Sequence, residues 1–440
     1  MDIWELLLTP LYIGLIFLLA KALEKRLTTP QNKKFYYWGL SAKLFGAFFF
    51  VMIYMFYYGF GDTFTYWRGG QVIASAIWEN PKAFFEMLTL RAEDYTNNTF
   101  HYTGNILYFR AQSTWTLTQI VGLVEVFTFQ YYLPTNLLFG FISFLGSWKL
   151  YQAFIDIHPK LINQLAWGML FIPSCIFWSS GILKESITCA SIGFFTYYSF
   201  RLLYHKKNIT KSIVICFISF WLIKDIKSVT IYTYLIGLIA WWYLYIQGQF
   251  IKNSILKVTL ASILIVLISG GILLVQNSII NEIQNDIAFE KIQETVKGFH
   301  SDHGTRVKGH TGDEASTYHL ECAGDYTLKG MIMCLPESIN VTLFRPYLWE
   351  SSKITLLFSA LESSLFLLLT IFALYKIRGK LLLYMIKYPE ITLSLIFTIM
   401  FGFIVGYTAY NFGVLTRFKT PILPFYMGAL IIMINNKKLA

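Results

Sequence analysis

The feature that most constrains this chain is the recurrence of long apolar runs separated by short basic segments. Crossing the hydrocarbon core of a bilayer takes about 20 mostly apolar residues in a helix. A helix satisfies its own backbone N–H and C=O groups, which open structures cannot do in lipid. Eleven runs are candidate helices, over about 4–20, 38–60, 131–152, 165–180, 186–204, 212–223, 229–246, 255–276, 354–375, 391–411 and 420–434. The run 212–223 is the weakest, because it ends in Lys224, Asp225 and Lys227. A further stretch, 114–129, is interrupted by Gln119 and Glu125 and reads as interfacial or re-entrant. Composition excludes the soluble alternative: 55% of the 440 residues are hydrophobic and 14% charged, against roughly 25% charged in soluble domains. The core of a soluble fold is too small to hide so much apolar surface. The expected fold class is all-α, a polytopic transmembrane helix bundle of about 11 helices in one transmembrane domain, 1–440.

Orientation follows from Lys and Arg in the short connections, which favour the cytoplasmic side. The first connection carries Lys21, Lys25, Arg26, Lys33 and Lys34. Alternation puts 205–211, 247–254, 376–390 and the tail lysines Lys437 and Lys438 on the same side. The N-terminus is then outside and the C-terminus cytoplasmic. The first run has no basic segment before it and no small-residue cleavage site, so it reads as a retained helix rather than a signal peptide. Two long segments, about 61–113 and 277–350, fall outside and carry aromatic and charged residues rather than linker composition. They are expected to fold as membrane-proximal outer elements. The net charge of +11 therefore belongs to membrane topology and implies no nucleic acid.

Of five cysteines, Cys175, Cys189 and Cys216 lie in apolar runs, where thiols act as small hydrophobes. Cys322 and Cys334 share the second outer segment, where an oxidising compartment permits a disulfide. Unrelated thiols are the alternative.

Charged groups gather at the helix ends assigned to the outer face. Asp62, followed by Tyr66 and Trp67, sits where the second run exits. Lys184 and Glu185 stand in a tight turn from Ser179 to Ser186, and Lys224 in the next turn. Arg345 and Glu350 precede the ninth run, and Arg417 with Lys419 opens the last. Each has a plain structural reading: Asp62 as a cap, the cations as snorkelling side chains, Lys184 with Glu185 and Arg345 with Glu350 as ion pairs. Their shared side is what the positive-inside rule disfavours, and it suits an anion held near the bilayer surface. Arg presents a planar fork to phosphate oxygens and Lys a point charge. The start of the fifth run, 186–204, adds unpaired N–H groups and a positive dipole end. A carboxylate such as Asp62 facing a sugar hydroxyl serves as general base or metal ligand, and Tyr66 and Trp67 could stack on sugar faces or anchor at the interface. No second acid lies within two residues of Asp62, so a divalent metal has no paired-acid motif to support it. His300, His303, His310 and His319 fit no zinc spacing; they belong to a solvated loop or a lid.

The run Arg417-Phe418-Lys419-Thr420-Pro421-Ile422-Leu423-Pro424-Phe425 resembles the Arg-aromatic-x-x-Pro-x-x-Pro pattern near the last helices of C-type (GT-C) integral-membrane glycosyltransferases. Gly61-Asp62 through Tyr66 is similar to the acidic first-outer-loop element of that class. Pro173 through Glu185 and Leu343 through Glu350 resemble segments of bacterial envelope polysaccharide polymerases. The resemblance implies an outward-facing site, a polyprenyl-diphosphate-linked saccharide and an acidic catalytic residue. The absent second acid beside Asp62 departs from the pattern, so metal use and the identity of the base stay open.

The expectation is thus a glycosyltransferase or polymerase of cell-envelope polysaccharide assembly at the outer face of a bacterial inner membrane. Asp62, or else Glu185, would be the base. Lys184, Lys224, Arg345, Glu350, Arg417 and Lys419 would line the substrate site. Membrane lipids and other envelope-assembly proteins are the expected partners. The alternatives are a lipid-linked sugar flippase or transporter, marked by Glu362 inside the ninth run, and a non-catalytic membrane subunit. The topology makes a first prediction. Single cysteines placed near Lys206 and near His310 should react differently with an impermeant thiol reagent added outside: 310 labels and 206 does not. The reverse pattern would remove the outer-face assignment.

Overall fold

The computed structural model describes residues 3–206, 208–250, 317–322, 328–351 and 354–435. Among them there is no strand, only one isolated bridge between Thr317 and Asn411. The chain divides into two compact units between Tyr232 and Thr233. The run 255–276, residues 251–254, Lys437, Lys438, His300, His303 and His310 lie outside the described residues.

The first unit opens with α1 (Ile3–Leu27) and α2 (Lys33–Ile53), the latter prolonged by a π-helical turn, Tyr54–Tyr58. The segment 61–113 is folded as α3 (Asp62–Glu79), α4 (Pro81–Thr89), α5 (Phe100–Thr103) and a 3-10 turn, Leu107–Phe109. Ile73, Ala76, Phe84, Met87, Ile106 and Trp115 form its core. Residues 114–129 belong to α6 (Gln112–Thr128), a continuous buried-faced helix. Its interrupting Gln119 is buried and donates to the carbonyls of Met87 and Leu90, closing the end of α4. The unit continues with α7 (Tyr132–Ile157), α8 (Ile162–Leu170), α9 (Pro173–Trp178), α10 (Lys184–Phe200) and α11 (Ile209–Phe250), which contains the dividing point. Backbones of α7 and α10 touch: a Cβ on Gly193 would lie 2.0 Å from the Gly146 carbonyl oxygen.

One expected helix is broken and two others are joined, for readable reasons. The run 165–180 becomes α8 and α9, because Pro173 has no N–H to donate back and can only start a helix. The stretch 179–183 then interrupts the chain before α10. It was expected as an outer turn, yet Ser179, Ser180, Gly181, Ile182 and Leu183 are all buried. Polar side chains of three helices hold this stretch and the end of α9. The Ile182 N–H donates to Asn136 Oδ1 of α7 at 2.9 Å, and Ser186 Oγ of α10 donates to the Gly181 carbonyl. Lys43 Nζ of α2 donates to the Cys175 carbonyl at 2.9 Å, and to Ser143 and Ser179. The runs 212–223 and 229–246 are both in α11, which breaks at Lys227 (φ −154°, ψ 72°).

The second unit contains α12 (Leu328–Met333), α13 (Leu335–Phe344), α14 (Ile354–Ile377), α15 (Leu381–Lys387), α16 (Pro389–Thr408), α17 (Phe412–Phe418) and α18 (Leu423–Ile434). α13 is pinned to α16 where Thr342 Oγ1 donates to the Gly402 carbonyl at 2.6 Å. Arg417 does not open the last helix. It lies in the final turn of α17, and α18 starts only at Leu423. Pro421 and Pro424 lack the N–H groups that would carry α17 onward, and the pair is bent by 69°.

Among the described residues four helices are long and apolar enough to cross a membrane, or five if the bent α17–α18 pair is one span. They are α1, α2 with its π turn, α14 and α16. Exposed Leu, Phe and Trp side chains along α1 and α14 suit contact with lipid.

Candidate functional site

Polar side chains gather in two places, one in each unit. In the first unit the chain leaves the π turn of α2 through Gly59 and Gly61, both at positive φ. At Gly61 φ is +140°, and a Cβ there would come within 2.7 Å of the Tyr54 ring, so only glycine fits. This turn delivers Asp62 as the first residue of α3. Asp62 Oδ1 accepts a hydrogen bond from Tyr108 Oη at 2.9 Å. One turn on, Tyr66 packs on the Tyr108 ring, with centroids 4.7 Å apart, and is 2% exposed. Trp67 Nε1 donates to the Gln130 carbonyl at 2.9 Å, and its ring lies against Tyr132. Both aromatics thus hold α3 in place, and Tyr66 keeps no open face for a sugar.

Thr114 Oγ1 donates to the Tyr108 carbonyl at 3.0 Å. The neighbouring Ser113 Oγ accepts from Lys184 Nζ at 2.9 Å. The segment Tyr108–Thr114 therefore touches both Asp62 at the start of α3 and Lys184 at the start of α10. Glu185 follows Lys184 but is 1% exposed, with Lys227 Nζ 3.4 Å from its Oε1. The break in α11 falls on the residue that supplies this cation. Lys224, three residues earlier, is exposed. Asp62 is half-buried, whereas Glu185 is buried.

In the second unit Arg345 follows α13 and forms a forked pair with Glu350: Nε lies 2.9 Å from Oε1 and 3.1 Å from Oε2, and Nη2 also donates to Oε1. Glu350 Oε2 accepts the Tyr347 N–H at 2.7 Å, closing a short turn. The guanidinium lies over Tyr318 and Phe412, 5.8 and 5.5 Å from their centroids. Tyr318 is fixed by its hydroxyl, which donates to the Gly406 carbonyl at 2.8 Å, and by its N–H, which donates to the Tyr410 carbonyl. Burial pushes that hydroxyl well above the usual phenol range. Ser363 of α14 donates to the Arg345 carbonyl at 3.1 Å and contacts Lys419 Nζ at 3.2 Å; Lys419 is fully buried. Ser363 thus links Lys419 to the backbone of Arg345, whose side chain holds Glu350. Arg417 is half-buried, its guanidinium 5.8 Å from the Phe418 ring centre. Cys322 and Cys334 are joined in a disulfide, which ties the segment bearing Tyr318 to the start of α13.

Sequence reasoning missed Tyr108, Ser113 and Lys43. Lys43 alone left a signal, as a single cation inside the apolar run 38–60. Among the described residues no three His, Cys, Asp or Glu side chains group as metal ligands, and Asp62 has Tyr108 rather than a second acid beside it. No protein-family model, curated protein or solved structure matches the chain.

The Glu185–Lys227 pair makes a second prediction. Replacing Lys227 by Met removes the lysine of a buried carboxylate and should destabilise the protein by about 3 kcal/mol. Lys227→Met with Glu185→Gln should recover most of that loss, measured as unfolding temperature in detergent. Equal destabilisation of the single and double variants would show that the pair contributes no coupling.

Proposed function

We propose that the protein is a membrane glycosyltransferase or polymerase of cell-envelope polysaccharide assembly in a bacterial inner membrane. It would take its sugar from a polyprenyl diphosphate at the outer face, in a bundle of about 11 helices. The observation that carries this reading is the segment Tyr108–Thr114, which touches Asp62 at one end and Lys184 at the other. A carboxylate and a cation held by one short segment are what transfer from a diphosphate needs.

In this reaction the acceptor hydroxyl oxygen bonds to the anomeric carbon as that carbon's bond to the diphosphate oxygen breaks. Asp62 takes the hydroxyl proton as general base. Lys184 and the N–H groups of the first turn of α10 stabilise the charge that grows on the leaving diphosphate. The polyprenyl chain stays among the apolar helix faces. No step is routed through a metal.

The test is complementation of a deletion strain with analysis of lipid-linked products. Asp62→Asn, at normal membrane abundance, should lower polymer formation by about 10²-fold or more and let short lipid-linked units accumulate outside. Lys184→Ala should lower it less, and Lys184→Arg should recover part of the loss. Normal polymer from Asp62→Asn would refute the reading. Units accumulating on the cytoplasmic side instead would favour a transporter.

A further inference from the structure

A second basic centre lies in the first unit, apart from Asp62 and Lys184, where α7 and α10 end. Lys149 of α7 is 8% exposed. Its Nζ donates to Gln152 Oε1 at 2.7 Å and sits 4.2 Å from the centre of the Tyr197 ring. Arg201 approaches the same ring, its Cζ 5.5 Å from the centroid, and its Nη1 donates to Tyr197 Oη at 2.7 Å. Two cations therefore share one aromatic ring. Among the described residues neither forms an ion pair. Arg201 Nε is buried with no hydrogen-bond partner.

The surroundings add positive charge. Arg201 and Lys211 are near enough to repel Lys149, and the exposed acid Asp156 is near enough to attract it. Gln152 Nε2 donates to the Leu27 carbonyl at 2.7 Å, which brings in the end of α1 with Lys25 and Arg26 in its last turn. Arg201 also begins a π-helical turn, Arg201–His205, a widened geometry that recurs at functional sites. What a cation gains over a ring face is small beside what burying an ion costs. An anion with several oxygens would neutralise both cations and give Arg201 Nε an acceptor.

We propose that Lys149, Arg201 and Tyr197 form a binding site for a phosphate oxyanion, distinct from the proposed transferase site. Arg supplies the planar donor set and Lys the point charge that phosphate takes. The phosphate belongs to an acidic phospholipid headgroup or to a soluble phosphate compound. Basic pockets between helices on the cytoplasmic side bind such headgroups, and the Lys and Arg asymmetry assigns this end to that side.

The experiment uses the purified full-length protein in detergent and its unfolding temperature. The probes are phosphatidylglycerol, phosphatidylcholine and inorganic phosphate at matched concentration. Phosphatidylglycerol near saturation should raise the wild-type temperature by about 5 °C, and phosphatidylcholine should not. Lys149→Met, which keeps the stem on the Tyr197 ring, and Arg201→Gln should each lose more than half of that shift. Either variant serves alone if the other does not fold. An equal shift with inorganic phosphate supports the site and assigns it to a soluble phosphate; a shift with phosphatidylglycerol alone assigns it to the headgroup. No shift of the wild type with either anion, or equal shifts in wild type and variants, overturns the proposal.

Discussion

The first unit depends on how one interruption of helix is satisfied without water. Between α9 and α10 the backbone leaves helical geometry while fully buried, and each freed group would cost several kcal/mol if unmet. Lys43, Asn136 and Ser186 meet that demand from α2, α7 and α10. The ammonium of Lys43 has three donors and finds three acceptors, in Ser143, Ser179 and the Cys175 carbonyl. The interruption then costs little, and it aims the first turn of α10, with Lys184 and Glu185, at a fixed place.

Close packing supports the same arrangement. A Cβ on Gly181 would come within 2.3 Å of the Phe50 ring, and one on Gly46 within 2.2 Å of the Ile176 carbonyl oxygen. The interruption and the end of α9 are therefore held by α2 at Lys43, Gly46 and Phe50. In the second unit a different device does comparable work. Arg345 is locked by Glu350, Tyr318 and Phe412, and the Cys322–Cys334 disulfide keeps Tyr318 close to α13. Both devices surround a cation with fixed acceptors or ring faces, as befits charges taken out of water. Among the described residues Glu125 is an exception: it is fully buried in α6 with both carboxylate oxygens unpartnered.

Much of the helical layout was legible because its cause is local. Apolar length marked α1, α2, α14 and α16, and Pro173 and Pro421 stand where helices end. The break at Lys227 was legible only as a charged interruption, since nothing local separates a turn from a kink. The packing of Tyr66 and Trp67 was not legible, because an aromatic at an interface and one packed on Tyr108 or Tyr132 read alike in sequence. Lys43 stood out as a lone cation in an apolar run, but its partners did not. Its acceptors lie 100, 132 and 136 residues away, and no spacing rule connects them. Asp62 and Lys184 were chosen as chemistry-bearing residues, but the segment that touches both, from Tyr108 to Thr114, carries no motif.

The central claim is that residues 179–183 are a fixed part of the buried core rather than a solvent turn. Hydrogen–deuterium exchange of the detergent-solubilised protein measures this directly, because the Ile182 amide should be held by Asn136. The account predicts exchange across 180–183 as slow as in the adjoining α10, and much faster exchange there in Asn136→Ala. Exchange of these amides within seconds in the wild-type protein would contradict it.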